Sequence, residues 1–279
     1  MKKKLLILSV IAAAVVSCSK TVMNDGDAEG MKRVKFMVSN DEWYVATRSL
    51  EADGHDMTDL WVFDYMDGEL VATLHKSSED ADFESPSIDM DFGEHHVYFV
   101  ASRGKNPTIS GTEIVWGTPS DTFWKDLELT VTGSTSAVAV DLDRVVTKLK
   151  VTVNDEVPEG TATLEVVPSQ WWYGLDYTTG AATNSSNQVR SVSVPASYIG
   201  TTGQLSVGIF GISDDDEWMA DVTIRAKNGS GDVIGGVGLT DVPFMRNRAT
   251  EASGSLFGSE SGFTVTLNTE WLDPYIIEW

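Results

Sequence analysis

The chain has 279 residues, 42% of them hydrophobic, and a formal net charge of −22 from 20 Lys and Arg against 42 Asp and Glu. Such acidity excludes nucleic acid as a partner, because phosphate binding needs clustered basic residues, and the apolar share is ample for packed cores rather than a disordered chain. A single cysteine excludes intrachain disulfides and cysteine-cluster metal sites.

Lys2 to Lys4 form a positive start, Leu5 to Val16 an apolar run, and Ser17 a small residue before Cys18. The pattern is that of a signal peptide over residues 1–17. Its apolar run falls short of the ~20 residues that a membrane-spanning helix needs. Val15-Val16-Ser17-Cys18 has the form of a lipobox, so cleavage is expected before Cys18, which then carries the lipid. The body beyond it is expected to be soluble and anchored by acyl chains. Residues 18–30 are small, polar and acidic, and read as a flexible tether.

From Met31 onward the dominant signal is period-two alternation, the mark of half-buried strands. Val34, Phe36 and Val38 share one face of a first strand; Leu60, Val62 and Asp64 alternate with Trp61, Phe63 and Tyr65 in a second. Asp67-Gly68, between Trp61 to Met66 and Glu69 to Leu74, predicts a tight hairpin, since both turn positions need positive φ. Ile88, Met90 and Phe92, then His96 to Ala101, Leu127 to Val131 and Val138 to Leu142 continue the series, each strand polar on its outer face. Arg144 to Val153 is a long strand, and Asn154 to Gly160 after it is the best linker candidate. The second half repeats the pattern at Thr161 to Val167, Val189 to Val194, Leu205 to Ile212, Trp218 to Ala226, Val233 to Leu239 and Phe263 to Leu267. No stretch has a useful amphipathic helical pattern. The expectation is all-β, with one β-sandwich of six to eight strands over residues 31–156 and another over 157–279.

No catalytic signature is present. His95 and His96 would point to opposite faces of a strand, a poor geometry for a shared metal. Asp89 with Asp91 and Asp141 with Asp143 are paired carboxylates of the type glycosidases use, but each pair sits opposite an apolar stripe and is explained by a solvated face. Asp214-Asp215-Asp216-Glu217 offers hard oxygen ligands for calcium without the alternating pattern of a calcium loop, and a solvated turn explains it. Nine tryptophans, including Trp171-Trp172, raise a different reading, a surface glycan-binding lipoprotein that stacks sugars on exposed rings. At the C-terminus, Phe263, Val265, Leu267, Trp271, Tyr275, Ile277 and Trp279 form an apolar series where chain ends are usually polar. Either it packs as a last strand in its own domain, or it is donated to a neighbour's sheet by β-augmentation.

Six stretches in this order carry a family likeness: the lipobox at Cys18; Val34-Lys35-Phe36 followed by Thr47-Arg48; Asp59 to Asp64 with Asp67-Gly68; His96 to Ser102; Arg144 to Leu149; and Pro243 to Thr250 leading to Gly254-Ser255-Leu256-Phe257. Together they resemble the fimbrillin superfamily of Bacteroidales, in particular its minor, anchor-type lipoprotein subunits. The resemblance implies two tandem transthyretin-like Greek-key β-sandwiches in a structural or adhesive subunit, anchor or tip, of a surface fimbria, without cofactor, metal or catalysis. It implies partners as well: other fimbrial subunits, the outer membrane through the lipid, and host or bacterial surface ligands. Assembly in such a family is by donor-strand exchange. In its stalk pilins a protease cuts after an arginine beyond the first strand, opening a groove for the next subunit's C-terminal strand. Val34 to Val38 matches that first strand and Arg48 is the best-placed arginine, while 263–279 is the matching donor segment, with Trp271, Tyr275, Ile277 and Trp279 as its plugs. In an anchor the first strand should stay, because a cut would separate the body from its lipid.

Overall fold

A computed structural model describes residues 30–39, 57–187, 189–214, 216–258 and 262–268. Over these the backbone forms twenty strands and one short 3-10 turn at Ala196–Tyr198, with no α-helix among the described residues. The first ten strands are β1 (Met31–Ser39), β2 (Asp59–Met66), β3 (Glu69–Ser77), β4 (Ser87–Asp91), β5 (Gly93–Ser102), β6 (Lys105–Ser110), β7 (Glu113–Thr118), β8 (Thr122–Val131), β9 (Ala137–Asp141) and β10 (Asp143–Arg144). The second ten are β11 (Val146–Val153), β12 (Thr161–Pro168), β13 (Trp171–Asp176), β14 (Ala181–Ser186), β15 (Arg190–Ser193), β16 (Leu205–Ile212), β17 (Trp218–Asn228), β18 (Val233–Phe244), β19 (Ala249–Ser255) and β20 (Gly262–Leu267). The β2–β3 hairpin turns at Asp67 and Gly68 with φ of 53° and 81°, the two positive angles its sequence demands.

The strands form two sandwiches. In the first, a three-stranded sheet β4-β1-β9 packs on a five-stranded sheet β10-β8-β5-β2-β3. Val34, Phe36, Leu60, Val62, Val97 and Phe99 are fully buried between them. In the second, an eight-stranded sheet β20-β19-β11-β16-β13-β7-β6, with β14 also on β13, packs on a four-stranded sheet β15-β12-β17-β18. Leu149, Val151, Leu164, Val166, Ile224 and Phe244 fill that core. At roughly 1.5–3 kcal/mol for each fully buried large apolar side chain, these two layers supply most of the force that holds the chain folded.

A third core joins the sandwiches. Trp61 and Phe63 of β2 and Tyr98 and Val100 of β5, on the outer face of the five-stranded sheet, pack on Ile114 and Trp116 of β7, Leu175 of β13 and Tyr177. Phe63 stacks on Tyr177 with centroids 3.8 Å apart and planes 2° apart. For β5, therefore, the expectation of a polar outer face fails, because a second sheet covers that face. The same packing explains why the second sandwich exceeds the expected six to eight strands: β6 and β7, from residues 105–118, leave the first sandwich and extend the sheet of the second through β7–β13 pairing.

Apart from the excursion of β6 and β7, the chain passes from the first sandwich to the second between β10 and β11, around Val145. Asn154 to Gly160, polar enough to read as a linker, is largely exposed but pinned to the second. The Asp155 carboxylate accepts hydrogen bonds from the backbone N–H of Leu256, Phe257 and Gly258, and Val157 is 1% exposed. Its acid holds a loop rather than solvating a spacer.

Candidate functional site

The segment with the most distinctive placement is β1. It is the middle strand of its sheet, antiparallel to β4 from Met31↔Asp91 to Lys35↔Ser87 and parallel to β9 from Lys35↔Ala137 to Ser39↔Asp141. Past the end of the β4 register the ladder continues, with Phe36 N–H donating to Pro86 O at 2.9 Å and Val38 N–H to Glu84 O at 2.9 Å. Alternation makes this strand a plug. Val34, Phe36 and Val38 point inward at 0%, 0% and 5% exposure, with Phe36 edge-on to Phe99 at 5.1 Å, while Arg33, Lys35 and Met37 face out. Without β1, strands β4 and β9 would face one another across an empty slot, each with a bare edge, over a trough lined by Ile88, Met90 and Val140. Arg48 and Cys18, on either side of this strand in sequence, lie outside the described residues.

The C-terminal series divides. Phe263, Val265 and Leu267 stand on β20, antiparallel to β19 in this chain's own sheet (Gly254↔Phe263, Ala252↔Val265, Thr250↔Leu267), and Phe263 and Val265 pack on the second core. Gly254 permits that docking: a Cβ there would lie 2.0 Å from the Gly262 carbonyl oxygen and 2.6 Å from the Phe263 Cα. Trp271, Tyr275, Ile277 and Trp279 lie outside the described residues.

The polar constellations resolve as structural. Asp89, Asp91, Asp141 and Asp143 are exposed on outer faces. Asp214 caps the Ala182 N–H at 2.7 Å; Asp215 lies outside the described residues. No group of three or more His, Cys, Asp or Glu side chains could hold a metal among the described residues. His55 is outside them, and His75 stacks on Trp61 and meets Asp59 at 2.8 Å. His96 pairs with Asp126 on the face opposite to buried His95.

His95 is the one deeply buried histidine in the described residues. Its Nδ1 lies 2.8 Å from Asp64 Oδ1 and its Nε2 lies 2.9 Å from the Asp91 carbonyl oxygen, with both side chains 1% exposed. The carbonyl can only accept, so Nε2 carries a hydrogen and the contact to Asp64 needs a second one. Burial pushes the Asp64 carboxyl above its usual range, against the opposing pull of its hydrogen bond with His95. In the second sandwich Glu165 is held below the usual range, first by the hydrogen bond from Lys227 at 2.7 Å and then by that from Arg225 at 2.5 Å. Burial, then its contact with Tyr65, raises the Tyr177 hydroxyl well above the ordinary phenol value.

The tryptophan pair does not form a surface platform. Trp171 is 4% exposed, its Nε1 donating to Phe210 O at 2.8 Å in the second core, and Trp172 lies against Trp218 at 4.5 Å on the opposite face. Two motifs of the sequence meet across the junction instead. Arg144 clasps Asp121 through Nε at 2.7 Å and Nη2 at 3.1 Å and reaches Asn247 Oδ1 with Nη1 at 3.2 Å, while Arg246 donates to the Ser213 and Gly180 carbonyls. Sequence reasoning missed that junction and the Asp64–His95 pair. The adjacent aromatics on both faces of β2 were the available signal for the first; an inward aspartate in an apolar stripe was the signal for the second.

The overall fold is similar to that of candidate adhesins of Bacteroides. The chain is similar to a candidate polysaccharide-binding protein of Bacteroides thetaiotaomicron at TM-score 0.54 and 8% identity, over 86% of this chain and 96% of that one. It is similar to a candidate adhesin of the same species at TM-score 0.52 and 11% identity, over 87% and 97% of the two chains. A candidate adhesin of Bacteroides ovatus gives TM-score 0.51 at 12% identity, over 75% and 82%. At such identities the likeness is one of fold. The model of a family of unknown function, DUF6562, matches residues 113–278, well over half of the chain, and the chain belongs to that family. No curated protein matches it.

Proposed function

We propose that this chain is a lipid-anchored, non-catalytic adhesive subunit of a cell-surface fimbria, joined to its neighbours by strand exchange and serving as anchor or tip. The observation that carries the reading is the place of β1, an inward-facing strand between two others that, among the described residues, have no second neighbour in their sheet. A strand so placed is either kept, closing the sheet, or removed and replaced by a strand from another subunit, which satisfies the same backbone groups. The sequence resemblance to fimbrillins and the fold shared with candidate adhesins support the same reading.

The finer assignments belong to it. Cys18 carries the lipid that holds the chain at the outer membrane; Arg48 is the site of any processing; the segment from Phe263 supplies the donor. Because Phe263, Val265 and Leu267 are engaged by β19, the part offered to a neighbour is the stretch holding Trp271, Tyr275, Ile277 and Trp279. Mass spectrometry of the N-terminus on cells tests the anchor role: a lipidated Cys18 supports it, whereas a chain starting at Ser49 makes this a polymerising subunit with an open groove. Failure of the protein to co-purify with fimbriae in either form would sink the assignment.

A further inference from the structure

A strand edge lies bare inside the second sandwich. β16 pairs with β11 along its whole length, from Leu205 to Ile212, but with β13 only at Trp172↔Ile212, so most of its second side carries no ladder among the described residues. Which backbone groups face that gap follows from the register. Ser213 N–H donates to Val145 O at 2.9 Å, one step beyond the Val146↔Ile212 pair, so the odd-numbered residues of β16 bond to β11 and the even-numbered ones point the other way. Phe210 has that direction, since its carbonyl accepts from Trp171 Nε1 at 2.8 Å. Gly208, two residues earlier, presents its N–H and C=O to the same side, and among the described residues neither has a partner there. Bare ladder groups are a template for another strand.

The gap opens into a pocket of about 410 Å³. Val207 to Phe210 form one wall, a stretch of about 13 Å at about 3.4 Å per residue. Half-buried Gly208 offers that wall backbone and no side chain, so another main chain can approach it closely. The indole of Trp171 closes the bare edge at Phe210. The rest of the lining holds basic side chains and no acid, in a chain where acids outnumber bases by 42 to 20. Arg190 is engaged, its Nη1 donating to Thr118 Oγ1 at 3.0 Å. Arg103 and Lys105, around the β5–β6 junction, make no ion pair or side-chain hydrogen bond among the described residues.

We infer that this pocket takes a short, extended, acidic peptide segment of a partner protein, laid along β16 as an added strand. Gly208 exchanges backbone hydrogen bonds with one peptide residue, and carboxylates on alternate residues reach Arg103 and Lys105. Main-chain pairing supplies the affinity, and the two cations supply the preference for acid. An acidic sugar would satisfy the cations but would not offer Gly208 the paired donor and acceptor that a peptide carries. The site is separate from the slot that β1 fills: it lies in the other sandwich, and it is basic where that slot is lined by Ile88, Met90 and Val140. It holds whether or not β1 is exchanged.

Calorimetric titration of the full-length chain with the blocked peptide acetyl-Thr-Asp-Thr-Asp-Thr-amide tests it. The peptide should bind about tenfold more tightly than the same peptide with Asn for Asp, and more weakly as salt rises. Two N-methylated versions separate strand addition from simple ion pairing. Methylating the amides of one set of alternate residues should weaken binding about tenfold or more, and methylating the other set should leave it nearly unchanged, because only one set faces β16. Arg103→Gln with Lys105→Gln should bring the acidic peptide level with its Asn version, and Lys125→Gln, outside the pocket lining, should change nothing. If the double variant loses thermal stability, Lys105→Glu at the exposed rim carries the test alone. Absence of binding, equal loss or no loss on methylating either set, tighter binding of glucuronic acid, or wild-type affinity in the pocket variants overturns the inference.

Discussion

Asp64 and His95 show how much a single buried polar pair constrains its surroundings. Two essentially unexposed side chains share a hydrogen between Oδ1 and Nδ1, so removing either leaves the other stranded in an apolar core. Asp64→Ala should destabilise by about 3–5 kcal/mol, whereas Asp64→Asn, whose amide can donate to Nδ1, should cost about 1 kcal/mol by loss of the charge-assisted bond, both read by denaturant unfolding. Asp64 and Glu165 also predict opposite pH slopes. Asp64 is raised in the folded state, so its contribution is full below the ordinary value of 3.8 and lost as pH climbs through its raised value. Glu165 is lowered, so its contribution is full above the ordinary 4.5 and lost as pH falls through its lowered value. Melting temperatures of Asp64→Asn and Glu165→Gln across acid and neutral pH should each flatten one limb of the profile, the upper for Asp64 and the lower for Glu165. A single variant flattening both limbs would mean the groups are coupled.

Strands are the level at which the alternation pattern was most informative. β1 was legible from Val34, Phe36 and Val38, and the β2–β3 turn from Asp67-Gly68, because a period of two and a pair of positive-φ residues are local properties. Neighbours in a sheet are not local, and nothing in the β1 sequence says that it lies between β4 and β9. Phe36→Ala should therefore act as a core truncation, costing about 3–5 kcal/mol of the first sandwich's stability, with hydrogen-exchange protection lost across β4 and β9 and kept in β11 and β16. At the other end of the chain, Gly254→Ala places a methyl group where the Gly262 carbonyl sits and should loosen β20 at a cost of about 1–3 kcal/mol. Loss of exchange protection at Gly262–Leu267, with β11 unaffected, is the expected signature.

The two sandwiches share a third core, around Trp61, Phe63 and Tyr177, as buried as the other two, which should make them unfold as one body. The sequence pattern suggested two sandwiches but gave no sign of this wall, since Trp61 and Phe63 read equally well as the outer face of a half-buried strand. Nor could it see that β6 and β7 change partners: hairpins carry no mark of which sheet they will join. Tyr177→Ala, which removes the ring stacked on Phe63 and the hydroxyl that meets Tyr65, should split the single unfolding transition into two in calorimetry. Deleting Asp273 to Trp279 should leave the transition in place while abolishing incorporation into fimbriae, as seen by electron microscopy of cells; fimbriae that form normally without those residues would remove the tail from the assembly scheme.

The mixed neighbours of β1 have a mechanical consequence. Hydrogen bonds run crosswise to a strand, and this strand is bonded on its left and right to chains running in opposite senses. A pull applied near Met31 and directed along the strand, as a tether at Cys18 would transmit, strains both ladders together instead of opening them one rung at a time. In the proposed anchor role, with a tether on one side and assembled neighbours on the other, this strand would be the rivet that bears the load.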